Sequence, residues 1–550
     1  LSLPITLRAR EVLLDVSSSL APKYVWIDSI CINQADLNER AQQVTLMGDI
    51  YRGAERVLVW LGKATHATLL VRTIFPQIRL MAKHDAEGRK VKPRRLYGVT
   101  IAAITELMNH PYWTRTWIIQ EIAMGKSVKF RYGRASMTWD EFSPIVGAFL
   151  PQNSNMMAII NRLFRTTEEI LPPKALIAIA NIFTMRAGVQ SKADIHIFFR
   201  EAAWCVLGSE STDPRDKIYG VLGMVEDGGA ELLRPNYTKP VQDIYRDAVR
   251  YLIAGEDPFR FLHYAGMRVD SKISVLSWVP DWTLYPEAAF LGPVGHPLPY
   301  CAGGSAPTPP HIDAESPTEV HLTGIRVDQL QRVANFVVAY HHHGSMHSEG
   351  LNLAQINFRW ISEALSLAIS SCEDAQVEYG GGQDRFEAFW RTICGDRLRF
   401  PVAMHPAPDL GPGLISWYRE LKRGLGLDLI LAGYNRVGDS IMGNFYITGD
   451  AEKIRTVFSG TIGLAGYGRK MAITTDRRMA LVPQSARVGD EIWVILGSET
   501  PHCLRRTPDE EAEVTRPSNR LQLVGESYLH GIMDGEVLKS EHEVEKVILV

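Results

Sequence analysis

Tyr24-Val25-Trp26-Ile27-Asp28-Ser29-Ile30-Cys31-Ile32-Asn33-Gln34 passes from a β-branched and aromatic stretch directly into a cluster of polar side chains. The apolar half reads as a short β-strand ending at Asp28. Asp36-Leu37-Asn38-Glu39 then has the pattern of a capping box, an Asp cap with Glu three residues later. The helix it opens is expected to bury Leu37, Ala41, Val44, Met47 and Tyr51, with Gly53 closing it in the left-handed conformation. Val57-Leu58-Val59-Trp60-Leu61 is apolar without polar alternation, as in a sheet covered on both faces. Strand, helix and strand in succession predict an α/β unit with a parallel, doubly wound sheet.

Outward from this stretch the alternation continues. Residues 6–20 carry Leu7, Val12, Leu13, Val16 and Leu20 at helical spacing. Helices are expected over residues 99–109 and 112–124, then Gly125 and a strand over 127–132. From about 140 to 260 the pattern is mainly helical, with Asp213-Pro214-Arg215-Asp216 as a helix start: an Asp cap, Pro at the first position and an acid in the first turn. Residues 302–317, rich in Pro, Ser and Gly, read as a linker or long loop, and the three glycines at 380–382 as a flexible break. Residues 471–474, 491–496 and 521–524 are short strands between turns, which predicts a small antiparallel sheet or barrel. The expected divisions are 1–135 (α/β), 136–300 (mainly helical), 301–455 (mixed) and 456–550 (small, β-rich).

Composition narrows the function. At 550 residues the chain exceeds what one core supports. A net charge of −3 gives no reason to expect nucleic acid or an anionic membrane as partner. The longest apolar run, residues 175–183 between Lys174 and Arg186, falls short of the ~20 residues a membrane span needs. None of the six cysteines forms a CxxC pair, and sparse thiols fit a reducing cytoplasm. The opening Leu-Ser-Leu-Pro lacks a charged region followed by an apolar one, so no signal peptide is expected.

Three groups of residues are candidates for chemistry. Asp28, Asn33 and Gln34 follow the first strand, where ligands bind in open α/β sheets; the alternative is that they cap and turn the chain. On a helical wheel of residues 113–124, Glu121 projects between Trp113, Trp117 and Met124 on one side and Ile118 and Ile122 on the other. A carboxylate so flanked is a site candidate, or half of an ion pair with Arg115 or Arg40. His341, His342, His343 and His347 lack an acid or Cys at ligand spacing, so they read as an exposed loop, and no metal site is expected. Gly463, Gly466 and Gly468 do not follow the dinucleotide order.

The blocks Tyr24 to Gln34, Glu39-Arg40, Gln43-Val44, Met47-Gly48, Ile50-Tyr51 and Val57 to Gly62, with Pro111-Tyr-Trp-Thr-Arg-Thr-Trp-Ile-Ile-Gln-Glu121, resemble the signature of the fungal heterokaryon-incompatibility domain family. Asp213 to Gly223, Leu276 to Trp282, Gly489-Asp490 and Tyr528 to Glu536 resemble segments that follow that domain. The resemblance implies a self/non-self recognition effector that promotes programmed cell death when unlike fungal cells fuse. It also implies a first strand bearing Ser-Tyr-x-Trp-Gly, and this chain begins after its expected place. The family is similar to Toll/interleukin-receptor domains, a flavodoxin-like fold, some of which cleave NAD. By that likeness Trp117-Ile-Ile-Gln-Glu121 carries the catalytic Glu121, with Asp28, Asn33, Gln34, Arg40, Arg115 and Trp117 in substrate binding. NAD would be a substrate, and no resident cofactor is implied. The non-catalytic alternative is a self-associating signalling module. Either way the implied partner is a recognised protein, with homo-oligomers a further expectation.

Overall fold

The computed structural model describes residues 5–17, 24–63, 106–107, 110–133, 135–143, 173–191, 205–206, 209–224, 231–255, 257–266, 268, 271–284, 299–305, 309–337, 353–397, 404–425, 442, 462, 465–507 and 520–550. The chain divides into two units, Leu1–Tyr251 and Leu252–Val550. Most of the helix expected at 99–109, the histidines at 341–347 and Gly463 lie outside the described residues.

In the first unit, helix α1 (Leu7–Val16) starts at Thr6, whose hydroxyl accepts from the Ala9 N–H at 3.1 Å. Residues 24–27 join no helix and no ladder among the described residues, Ile27 is extended, and Tyr24 and Val25 are exposed. The strand expected there is thus an unpaired lead-in. The Ile27 carbonyl instead accepts from the Ile30 and Cys31 N–H groups at 2.9 and 2.8 Å, forming the one-turn helix α2 (Asp28–Cys31). Asp28 therefore opens a helix, where its charge suits the N-terminal dipole, and does not end a strand.

Helix α3 (Leu37–Gly53) begins as expected. The Asp36 carboxylate accepts from the N–H groups of Asn38 at 2.9 Å and Glu39 at 3.1 Å. The reciprocal bond goes elsewhere, because Glu39 Oε1 accepts from the Asn33 N–H at 2.9 Å. Val44 and Met47 are buried, whereas Leu37 is exposed. Gly53 remains helical and the extended Ala54 ends the helix, so the left-handed closure does not form.

Strand β1 (Val57–Trp60) next enters the sheet. A 3-10 turn spans Pro111–Thr114, and Arg115 leaves helical space at φ −72°, ψ 136°. Helix α4 (Ile118–Met124) follows, so the single helix expected over 112–124 is two pieces. A distant contact explains the break. The Glu210 N–H donates to the Thr114 carbonyl, and its own carbonyl accepts from the Thr116 N–H at 2.9 Å. Backbone groups so engaged cannot also serve a continuous helix. Strand β2 (Val128–Tyr132) pairs in parallel with β1, from Val57↔Val128 to Trp60↔Arg131, and β3 (Ala135–Thr138) adds an antiparallel edge.

Helix α5 (Pro173–Ser191) buries Arg186, whose guanidinium donates to the carbonyls of Ile122 at 2.5 Å and Gly125 at 2.7 Å. These carbonyls belong to the end of α4, where no intrahelical donor remains. Helix α6 (Asp216–Leu222) starts later than expected, after Arg215 with no side-chain cap. Asp213 instead shapes the turn ahead of it, its Oδ1 accepting from the Arg215 N–H and its carbonyl from the Asp216 N–H, both at 3.0 Å. Helix α7 (Val241–Ile253) ends the unit. Helices α3, α4 and α6 meet where glycines permit contact: a Cβ on Gly48 would stand 2.5 Å from the Gly223 carbonyl oxygen. Buried Gln120 fills the crossing, donating to the Gly220 carbonyl at 3.2 Å and accepting from the Gly48 N–H at 2.8 Å. Below them Trp113 stacks on Phe142, ring centroids 5.4 Å apart, and its indole N–H donates to the Leu107 carbonyl.

Among the described residues, the second unit combines helices with a sheet of eight strands. Its elements are β4 (Val320–Val333), α8 (Leu353–Ala368), α9 (Cys372–Ala375), β5 (Glu378–Gly380), β6 (Gln383–Asp384), α10 (Arg385–Cys394), α11 (Gly411–Leu425), β7 (Arg469–Thr474), β8 (Met479–Pro483), β9 (Glu491–Ile495), β10 (His502–Arg506), β11 (Arg520–Glu526), β12 (Tyr528–Leu529) and β13 (Glu545–Leu549). The sheet order is β12-β8-β7-β4-β13-β11-β10-β9, and an added β4–β9 pairing closes β9, β10, β11, β13 and β4 into a ring. The long β4 does this by changing partners along its length, with register shifts at Arg326/Asp328 and Leu330/Arg332. The three glycines expected as a flexible break instead turn the β5–β6 hairpin, all at positive φ. Where residues 302–317 are described, they include a bridge from His311 to His321. Ser277 donates to the Val550 carbonyl at 2.5 Å and accepts from the Leu523 N–H at 2.9 Å, fixing the Leu276-to-Trp282 segment against β11. Among the described residues no helix is long and apolar enough to cross a membrane.

Candidate functional site

Glu121 sits in the first turn of α4, half-buried, on a helix anchored at one end by Arg186 and at the other by the Glu210 contact. Its Oε2 accepts from the Tyr112 hydroxyl at 2.9 Å. Burial pushes its carboxyl above the ordinary range; Arg115 and the Tyr112 hydrogen bond work against that, and Asp28 adds to it. Magnitudes explain why burial wins. An exposed guanidinium such as Arg115 typically contributes no more than about 1 kcal/mol, while sequestering an ion costs several.

Four other side chains share this electrostatic neighbourhood. Burial drives the Tyr112 phenol well above its usual value, and the charge of Glu121 drives it further. Tyr51, in the last turn of α3, is raised by burial and then by Glu121 and Asp28, with Arg115 opposing. Burial alone would lower Arg115; the fields of Glu121, Tyr112 and Asp28 more than reverse this. Trp26 packs edge-on against Tyr51 at 5.6 Å, giving the site an aromatic wall. Asp28, Tyr51, Tyr112, Arg115 and Glu121 thus form one cluster of two carboxyls, two phenols and one guanidinium.

Arg40 and Trp117 do not join it. Arg40 donates to Asp216 at 3.1 Å and Asp213 at 3.4 Å, with its guanidinium 3.7 Å from the centre of the Tyr237 ring. Asp216 also accepts from the Trp117 indole N–H at 3.3 Å and from the Tyr237 hydroxyl at 2.7 Å. Asp216 is buried, and burial raises its carboxyl while Tyr237, Arg40 and Trp117 hold it down. The ion pair considered between Glu121 and Arg40 is therefore replaced by one between Arg40 and the Asp213/Asp216 pair. Asn33 caps its own turn, Oδ1 accepting from the Ala35 N–H at 3.2 Å, and Gln34 is exposed beside it.

Sequence reasoning missed Tyr112 and Tyr51 as site residues. Tyr51 was assigned to the core of α3 by its spacing, which its half-buried ring partly satisfies. Tyr112 stands nine residues before Glu121, and no continuous helix would bring the two together; the bend at Arg115 does so. Among the described residues no group of three His, Cys, Asp or Glu side chains is arranged to hold a metal.

Residues 2–121 match the family model described as heterokaryon incompatibility protein, the segment that ends on Glu121. The chain carries a heterokaryon-incompatibility domain. Residues 455–550 match a second model, the Het-6 beta-barrel domain, which takes in β7 to β13 of the ring-closed sheet. The chain is also similar to heterokaryon incompatibility protein 6, OR allele, of Neurospora crassa, at 23% identity across 94% of this chain and 82% of that protein. No solved structure matches. The incompatibility domain thus contributes Asp28, Tyr51, Tyr112, Arg115 and Glu121, and Asp213, Asp216 and Tyr237 lie beyond the matched segment.

Proposed function

We propose that this chain serves fungal heterokaryon incompatibility as an effector of growth arrest or cell death, and that it acts by hydrolysing the nicotinamide–ribose bond of NAD at Glu121. The reading of a role in incompatibility rests on the incompatibility domain and on the similarity to the Neurospora crassa protein. The catalytic reading rests on one observation: Glu121 is a half-buried carboxylate, held among the described residues by a single phenol and only partly answered by an exposed cation. In the reaction the ribose C1′–N bond breaks with its electron pair moving to the pyridinium nitrogen, which leaves as neutral nicotinamide. Positive charge develops on the ribose ring, and a carboxylate facing it in a site shielded from water stabilises that charge. Water then adds at C1′ and releases a proton. A Toll/interleukin-receptor-like sheet is the fold that accompanies this reading.

A second reading has its own observation. Arg40 and Trp117, two residues expected to touch substrate, are engaged by buried Asp216, as in a domain built for rigid association with a protein partner. Expression in a fungal host separates the two. The catalytic reading expects growth arrest with NAD falling before viability, and both effects lost in Glu121→Gln at equal protein level. Arrest with undiminished NAD, or a Glu121→Gln chain that arrests growth like the parent, would leave the association reading.

A further inference from the structure

Within the cluster around Glu121, one contact is better fixed than function-neutral packing requires. Tyr112 is buried, and its ring meets the fully buried Trp113 edge-on at 5.6 Å. Trp113 is itself held by its bond to the Leu107 carbonyl and by Phe142. The backbone of the turn is set by Pro111 and by His110, whose Nδ1 accepts from the Tyr112 N–H at 3.1 Å. The phenol is therefore a donor that cannot follow Glu121 if the carboxylate rotates. A phenol has one proton to give, and it gives it to Oε2. Among the described residues no side chain donates to Oε1.

We infer that Tyr112 is the positioning residue of this site: it binds Oε2, fixes the rotamer of Glu121 and leaves Oε1 as the oxygen that meets the ligand. This rests on the catalytic reading of Glu121. The division of labour follows from hydrogen-bond chemistry. A bond to a carboxylate oxygen draws charge toward that oxygen and stabilises the ionised form, so loss of the donor favours protonation. Tyr112 therefore does two things at once, aiming Oε1 and extending the pH range over which Glu121 is charged.

The test uses the full-length chain with Tyr112→Phe, which keeps the ring and removes only the hydroxyl. A second variant carries 3,5-difluorotyrosine at position 112, a more acidic and stronger donor. With NAD as substrate, Tyr112→Phe is expected to lower kcat about tenfold, the scale of one hydrogen bond to a charged group, with KM nearly unchanged. The acid limb of the pH–rate profile should move to higher pH in the Phe variant and to lower pH in the fluorinated one. A merely structural tyrosine would not order the three proteins by donor strength. Carboxyl carbon NMR supplies a readout that needs no turnover: the resonance absent from Glu121→Gln should titrate at higher pH in Tyr112→Phe than in the parent. A parent chain without NAD hydrolysis defeats the catalytic reading, and the NMR series then decides the positioning role. An active parent whose acid limb and Glu121 titration ignore Tyr112→Phe overturns the inference.

Discussion

Glu121 lies in α4 and Asp216 opens α6, which Trp117, just ahead of α4, ties to it by a hydrogen bond, and burial raises the pKa of both carboxyls. What answers them differs. Asp216 receives Arg40, Tyr237 and Trp117, and its neighbour Asp213 holds Arg215 with two bonds of 2.9 and 3.1 Å. Glu121 receives one phenol and the field of an arginine that remains exposed. A carboxylate surrounded by donors ties elements together, whereas one left short of donors is available to a ligand. Burial alone does not separate the two roles; the count and geometry of donors do.

The comparison breaks most visibly at Asp216. Asp216→Ala leaves Arg40 only its longer pair with Asp213 and takes the acceptor from the Tyr237 hydroxyl and the Trp117 N–H, with an expected loss of about 3 kcal/mol. Thermal unfolding of the full chain should show this as a large downward shift of the transition that includes the first unit. If that transition held within a degree or two, the Arg40 network would not be the tie described. Gly48→Ala probes the helix crossing that carries both carboxylates. Its Cβ would fall 2.5 Å from a backbone oxygen of Gly223, which no rotamer change relieves. Overpacking of this kind costs about 1–3 kcal/mol, so a smaller but clear loss in the same assay is expected.

Glu121→Gln should have the smallest effect on stability, and its pH dependence sharpens the contrast. A carboxyl whose pKa rises on folding makes the folded state bind the proton more tightly than the unfolded state. Stability then falls as pH climbs from the ordinary carboxylate value through the raised one. Gln mimics the protonated form and can still accept from Tyr112. Parent and variant should therefore unfold alike at low pH, and above the raised value the variant should be equal or slightly more stable. A Gln variant markedly less stable at neutral pH would put Glu121 in the same class as Asp216.

These roles were only partly legible in the sequence. Asp36 and Asp213 act through neighbours a few residues away, and β1 and β2 are continuous β-rich runs although their pairing is distant, so local pattern sufficed to find them. Glu121 was visible because apolar residues flank it at any helical spacing. The partner of Arg40 was not, since Asp213 and Asp216 lie far along the chain in a segment whose local pattern signals a helix start and no ion pair. The bend at Arg115 was hidden for the same reason: it is imposed by Glu210, and no local residue signals it. Tyr24 to Ile27 have strand composition, but composition does not supply a pairing strand, and among the described residues none is present.

The strand β4 carries a consequence for how this protein is made. Gly324 pairs with Glu545, and the same strand pairs with Trp493 and Ile473 through its later residues. Ring closure therefore joins segments separated by nearly the whole second unit, an arrangement of high contact order that folds slowly. While the chain is being synthesised, β4 must wait with unpaired edges as the helices between it and β7 assemble by local contacts. That interval is when open strand edges recruit the wrong partner. A fragment beginning at residue 456 would never leave it, since it holds four strands of the ring and lacks the one that closes them.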